Sequence, residues 1–374
     1  GGTSVWVTGG YMGLTGNGTA AAIRDQTVTV AAGDQNVEHA LRVKIARGPV
    51  VLRVGTGTTD DSYIAETTLD TGEYSLAFTP TGSFNIRFLS RLKRQVLVNS
   101  VNVEAVGEMQ IVTAYTMADL PYIVAGPDQQ SGDIIFIACD GFRQTKVERR
   151  GTRSWGIAQY YADDGPFRIQ NTGPTTLTPG ALSGNTTLTA SVPFFKSTQV
   201  GALFRVISTG QTVTISITAQ NTFTNAIEIT GVGTQRAFTE VITGLSGTGS
   251  TVTLQQSLDS STGPWTDHTT GIVADQTVSV NDGLNNQTAW YRIGVKTGGY
   301  AAGTIVTTLT YALGSVDGVA RVTAFTSSTV VDVEVITDFG GTTASDDWAE
   351  GEWSDYRGWP TSGGFYEGRL WWAG

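Results

Sequence analysis

Cysteine occurs once in 374 residues, as Cys139, so no disulfide can form within the chain. That thiol ends the apolar run Ile134-Ile135-Phe136-Ile137-Ala138-Cys139, where a free cysteine behaves as a small buried hydrophobe. Charge is scarce: Asp, Glu, Lys and Arg make up 15% of the residues, against about 25% in an average soluble protein. The net charge is −10, which argues against a general nucleic-acid binder, since such a protein needs a basic face to displace counterions from phosphate. An acidic wall that DNA slides past remains compatible with it. No apolar run approaches the roughly 20 residues of a membrane-spanning helix, and the opening residues show no signal-peptide pattern. A soluble chain stabilised by packing is expected.

Signals for catalysis are as sparse. The two histidines, His39 and His268, lie far apart, and neither has a Ser or Cys motif beside it. Gly-x-Ser-x-Gly, a Walker A loop and Cys/His sets with zinc spacing are all missing. Asp60-Asp61, Asp163-Asp164 and Asp346-Asp347 are adjacent acids, a pattern that is usually solvated and at best ligates a cation weakly. These observations predict no enzyme, no metal and no cofactor.

What the sequence does have is 47 glycines, abundant Thr and Val, and short alternating runs, the profile of an all-β chain with many tight turns. Residues 1–36, rich in Gly, Thr and Ala, read as an extended arm that leans on the next domain or a neighbouring subunit, with one short helical turn near Thr19 to Ile23. Residues 37–114 read as a jelly-roll-like sandwich. His39 to Ile45 places Leu41, Val43 and Ile45 on one face and Arg42 and Lys44 on the other, and further runs follow at about ten-residue intervals. Tyr74, Phe78, Phe84 and Phe88 fall at core-facing positions of those runs. In residues 115–172, Asp140-Gly141 between two alternating runs predicts a hairpin, a blade-sized piece of antiparallel sheet too small to stand alone.

Residues 173–244 read as the first part of a small β-barrel, and 245–314 as an inserted immunoglobulin-like sandwich with one buried Trp. The barrel then returns in 315–374 and leads into a Trp-rich stretch. Five of the nine tryptophans lie from Trp348 onward, and aromatics in that number must fold against a large apolar surface. Arg369-Leu370-Trp371-Trp372 reads as a strand entering a sheet, which suggests a segment of a longer protein. Two basic clusters stand out, Arg87/Arg91/Lys93/Arg94 and Arg143/Lys146/Arg149/Arg150/Arg153. In an acidic chain these suit a subunit interface better than nucleic acid.

Several motifs then recur in a familiar order. Asp119-Leu120-Pro121 is followed by Gln130-Ser131-Gly132-Asp133 and its hydrophobic strand, by Lys146-Val147-Glu148-Arg149-Arg150, and by Trp155. Later come Trp348, Gly351-Glu352-Trp353-Ser354, Arg357-Gly358-Trp359-Pro360 and Glu367-Gly368-Arg369-Leu370. This pattern, over about residues 115–374, resembles the tail nozzle proteins, also called tail tubular or stub proteins, of short-tailed bacteriophages and related prophages. The first hundred residues are similar mainly to an accessory sandwich of some members. The resemblance implies a structural protein of the virion tail: a homo-oligomeric ring, usually a hexamer, closing the distal tail around a channel through which DNA passes without specific binding.

It also implies a β-propeller-like platform, partial here because the family continues into further blades, with adaptor or other tail proteins, and tail fibres, among the expected partners. Trp155, Trp348, Trp353, Trp359, Arg369, Trp371 and Trp372 are then the expected assembly and packing residues, and Arg143, Lys146, Arg149 and Arg150 the expected interface cations. The expected fold is all-β and multi-domain: antiparallel sandwiches, a partial propeller-like platform and a small barrel. A rival reading is a carbohydrate-binding or host-surface adhesion protein with a sugar groove lined by Trp265, Trp290 or Tyr291. A depolymerase would need an acid pair that the sequence does not place.

Overall fold

A computed structural model of the chain describes residues 1–105 and 110–374. Residues 106–109, inside the stretch expected as the first sandwich, lie outside the described residues. The protein is all-β, and its sheets are antiparallel throughout. Three apolar cores organise it.

In the first core, strands His39–Arg47, Gly72–Phe78 and Val96–Ala105 face a four-stranded sheet of Ala22–Val28, Phe84–Ser90, Val50–Gly55 and Ile64–Leu69. The alternation places the side chains: Leu41, Val43, Ile45, Tyr74, Phe78, Phe84 and Phe88 are buried, while Arg42 and Lys44 point outward to Glu104 and Glu73. Each large apolar side chain so buried contributes about 1.5–3 kcal/mol. The opening residues are strands of this sandwich. Thr3–Val7 and Tyr11–Thr15 form a hairpin on the edge of Val96–Ala105, and Ala22–Val28 pairs along Phe84–Ser90. The expected arm therefore leans on the following module by strand pairing. The turn expected to be helical near Ala22 begins a strand instead, because so short a segment cannot repay helix nucleation while a strand edge lies beside it.

The next hairpins extend the same sheet. Trp155 pairs opposite Ser75 as Ser154–Gln159 joins Gly72–Phe78, then Phe142–Gly151, Ile134–Cys139 and Gln130–Ser131 follow to complete nine strands. The turn at Asp140-Gly141 falls where the sequence put it, and Cys139 is buried. The blade-sized piece thus has no sheet of its own.

The central core is wrapped by Leu177–Pro179, Asn185–Ala190, Val330–Thr337, part of Ile305–Ser327, part of Leu203–Ile217, and Trp348–Glu350. This sheet curls without closing. Among the described residues one isolated bridge, Leu177 to Ser345, spans the gap between its ends, and the three-residue end strands are too short to ladder across. The expected barrel is an open curled sheet.

Leu203–Ile217 and Ile305–Ser327, 15 and 23 residues long, pair from Leu203–Arg321 to Ile217–Ile305. Their register breaks near Gly210, and beyond it the same two strands enter the third core. There they join Phe238–Thr243 and Gln276–Val280, and face Ala289–Val295, Val252–Ser257, Thr266–Ile272 and the short Thr222–Phe223 and Ile227–Ile229. The inserted sandwich therefore starts at Gly210 rather than residue 245, because Val213, Ile217, Ile227, Ile229, Phe238 and Ile242 turn their apolar faces into it. Its buried aromatics are Phe238, Tyr291 and Tyr311 rather than a Trp; Trp265 and Trp290 are half-buried outside the core.

One backbone approach in this sandwich is testable. A Cβ on Gly294 would lie 2.1 Å from the Thr222 carbonyl oxygen and 2.6 Å from the Phe223 Cα, both on the strand paired to it. Gly294→Ala is expected to destabilise the sandwich by about 1–3 kcal/mol through overpacking, read from the urea midpoint. A midpoint equal to that of the parent would refute it.

Candidate functional site

The Trp-rich segment crosses from the central core to the nine-stranded sheet. Trp348 is inside that core, with its ring 5.0 Å from Phe194 and its indole N–H donating to the Thr175 carbonyl at 2.8 Å. Glu350, buried beside it, accepts from Gln199 at 2.6 Å and pairs with Arg357 at 2.5 Å. This contact, ahead of desolvation, holds the Arg357 guanidinium above its ordinary value. Trp359 is held by its N–H on Asp355, and Arg143 stacks over its ring at 4.6 Å. Trp353 lines the same crevice as Arg143 and Trp359.

Beyond Pro360 the chain forms a hairpin, Ser362–Tyr366 with Arg369–Ala373. Glu367 and Gly368 both have positive φ, 49° and 73°, as a two-residue turn between twisted strands requires. The strand expected to enter a larger sheet thus finds its partner locally. On the inward face Phe365 and Trp372 pack around Phe136, with ring centroids 5.7 and 6.4 Å away, and Trp372 also meets Tyr160 at 5.3 Å. Outward-facing Trp371, Tyr366 and Arg369 are exposed, Trp371 by 54% and Tyr366 by 66%. Among the described residues no further strand pairs with this hairpin.

The cations of the second basic cluster find their partners within the chain. Lys146 contacts Asp70 at 2.8 Å and Glu148 at 2.6 Å, Arg150 contacts Glu148 at 2.5 Å, and exposed Arg149 reaches Asp133 at 3.5 Å. Arg143 donates to Gln159 at 3.1 Å. A neighbour's carboxylates are therefore not needed to neutralise Lys146 or Arg150. The sequence reading named Arg94 and Asp163 apart but missed Arg321 and Glu334, and all four surround a cavity of about 200 Å³ where the first sandwich meets the central core. Arg321 contacts Asp163 at 2.6 Å. Burial pushes the Glu334 carboxyl up and the Arg321 guanidinium down. The available signal was a lone charge inside each apolar run, Val319-Ala320-Arg321-Val322 and Val333-Glu334-Val335.

A recess of about 820 Å³ lies between the inserted sandwich and the other two modules. Trp265, Trp290 and Arg292 line it, as do Glu228, Asp317, Lys93 and Asp338. Tyr291 does not, since alternation turns it into the core. His39 and His268 remain in separate modules. Among the described residues no group of three or more His, Cys, Asp or Glu is placed to hold a metal ion.

Comparison with known proteins adds no family. No protein-family model and no curated protein matches the chain. Among solved structures, it is similar to the tandem CBM22 domain of Xyn10C from Paenibacillus barcinonensis, at 12% identity over 94% of this chain and 90% of that one, with a TM-score of 0.19. An IolB-like protein of Salmonella typhimurium LT2 follows at 8% identity, 81% and 83% coverage and TM-score 0.14. The ANXUR1 extracellular domain of Arabidopsis thaliana gives 10%, 83% and 87%, and 0.16. At these scores none carries an argument about fold or function.

Proposed function

We propose that this chain is a non-enzymatic structural component of a phage tail, a nozzle or tail tubular protein that assembles as a homo-oligomeric, six-membered ring through which DNA passes. The observation that carries the reading is the terminal hairpin, whose outward face sets Trp371, Tyr366 and Arg369 in solvent beside two strand edges without partners among the described residues. Large aromatics and Arg are the side chains that anchor protein interfaces, and free strand edges are templates for pairing with another chain. The net charge of −10 suits a DNA passage, since fixed carboxylates repel phosphate and prevent tight non-specific binding. Adaptor and other tail proteins are the remaining partners of this reading.

Light scattering and negative-stain electron microscopy test it, on the protein in solution and on tailed particles. The expected result is a ring at the tail tip, with Trp371→Ala/Tyr366→Ser leaving monomers whose stability is within about 0.5 kcal/mol of the parent, as for other surface substitutions. A parent that stays monomeric and never joins a particle would overturn the reading, as would rings formed equally well by the double variant.

A further inference from the structure

The recess between the modules has no part in the proposed assembly, and its walls have a definite chemistry. Strand Ala289–Val295 alternates, so Tyr291 and Ile293 face the core while Trp290 and Arg292 face outward. Arg292 is clamped between two rings, its Cζ 4.2 Å from the centroid of Phe223 and 4.3 Å from that of Trp265. Its Nε and Nη2 both donate to the Gln255 Oε1, at 2.9 and 2.8 Å, which leaves Nη1 free to donate to a ligand. Glu228 sits opposite Trp290 in the strand register, and Gln211 fixes its backbone through two hydrogen bonds of 2.6 Å. Burial, with Asp317 adding to it, holds the Glu228 carboxyl above its ordinary range, against a hydrogen bond from Trp290.

A site is selective by what it penalises as well as by what it accepts. The Glu228 and Asp317 carboxylates repel phosphate and carboxylate ligands. Arg292 repels cations. A purely apolar ligand would cover the outward polar atoms of Glu228, Asp317 and Arg292, beyond the contacts they keep with Trp290, Arg205 and Gln255, at a cost of desolvation. What remains is a neutral ligand that offers hydroxyls to both an acceptor and a donor and an apolar face to an aromatic ring, which describes a sugar. The volume lies within the roughly 300–1,000 Å³ of small-ligand sites.

We infer that this recess is a binding site for a neutral oligosaccharide, with Trp290 and Trp265 supplying aromatic surface, Glu228 and Asp317 accepting from hydroxyls, and Arg292 donating. The inference is independent of the tail reading, because it is measured on the unassembled chain. A monomer that binds sugar would retain it while sinking the ring, and a ring that binds none would do the reverse.

The test is a printed array of neutral glycans that includes cello-, xylo-, manno- and chitohexaose, followed by titration calorimetry of the retained compounds. The parent should retain at least one, Trp290→Ala should weaken it roughly tenfold or more, and the charge-removing Glu228→Gln should do likewise. Trp6→Ala, an exposed ring outside the recess, should bind as the parent does. Thermal melts of each variant separate lost binding from lost folding. Retention of no neutral glycan by the parent, retention of anionic glycans alone, or equal binding by folded Trp290→Ala and Glu228→Gln would each overturn the inference.

Discussion

Asp282→Ala should unfold the inserted sandwich while the first sandwich stays folded, at a cost of about 3–5 kcal/mol. Arg236 and Asp282 are 0% and 1% exposed at their side chains, with Nε and Nη2 of the guanidinium on the two carboxylate oxygens at 2.7 and 2.6 Å. The Gln287 carbonyl accepts from Arg236 at 2.6 Å, and the Tyr291 hydroxyl donates to Asp282 at 2.9 Å. Removing the carboxylate strands a guanidinium in the apolar core, which is far worse than replacing both partners by apolar groups.

Acid should act on the same pair. Burial works against the Asp282 charge, but Arg236, the Leu284 N–H and the Tyr291 hydroxyl outweigh it and hold the carboxyl below its ordinary value. A lowered folded value means that the unfolded chain binds the proton more readily. The stabilisation is therefore complete above the unfolded value, about 3.9, and lost as pH falls through the lower folded one. Near-UV circular dichroism melts between pH 2 and 6 check this. A parent with no acid-induced loss in the sandwich transition would refute it, and so would Asp282→Ala melting within 1 °C of the parent.

Trp348→Ala should be the costliest change in the Trp-rich segment, at about 3–5 kcal/mol. Its ring fills the central core against Phe194 and Phe204, and its N–H anchors the Thr175 carbonyl. The cavity and the orphaned carbonyl both fall on the stretch that holds the ends of the curled sheet together, near the Leu177–Ser345 bridge. Trp371→Ala, which removes an exposed ring, should change stability little. Chemical denaturation of the two variants compares them directly, and equal midpoints would contradict the packing described here.

The contrast between those two tryptophans marks what the sequence could show. Alternation is local, so Leu41, Val43 and Ile45 and the rings of Tyr74, Phe78, Phe84 and Phe88 were legible as core, and Asp140-Gly141 as a turn. Pairings distant in sequence were not. Nothing around Trp155 indicates that its strand pairs with Ser75, and nothing near Thr3 or Tyr11 indicates the edge of Val96–Ala105, because a strand's alternation records which face is buried and not which strand lies beside it. Glu367-Gly368 went unread as a turn because its first residue is an ordinary glutamate. In the recess, aromatics were legible as candidates, yet only the folded register decides that Trp290 faces outward and Tyr291 inward. Arg292 and Glu228 were, like Arg321 and Glu334, lone charges inside apolar runs, and nothing in the sequence joins them to one recess.

The paired ribbon also bears on how such a chain can diversify. Thr209 and Ser315 are partners across the ladder, so the chain leaves the central core and returns to it at neighbouring points. Everything between them hangs from one hairpin stem. An outer module attached in this way can be lengthened, exchanged or shed over evolutionary time without rerouting the backbone beneath it, leaving the recognition surface free to vary while the frame stays fixed.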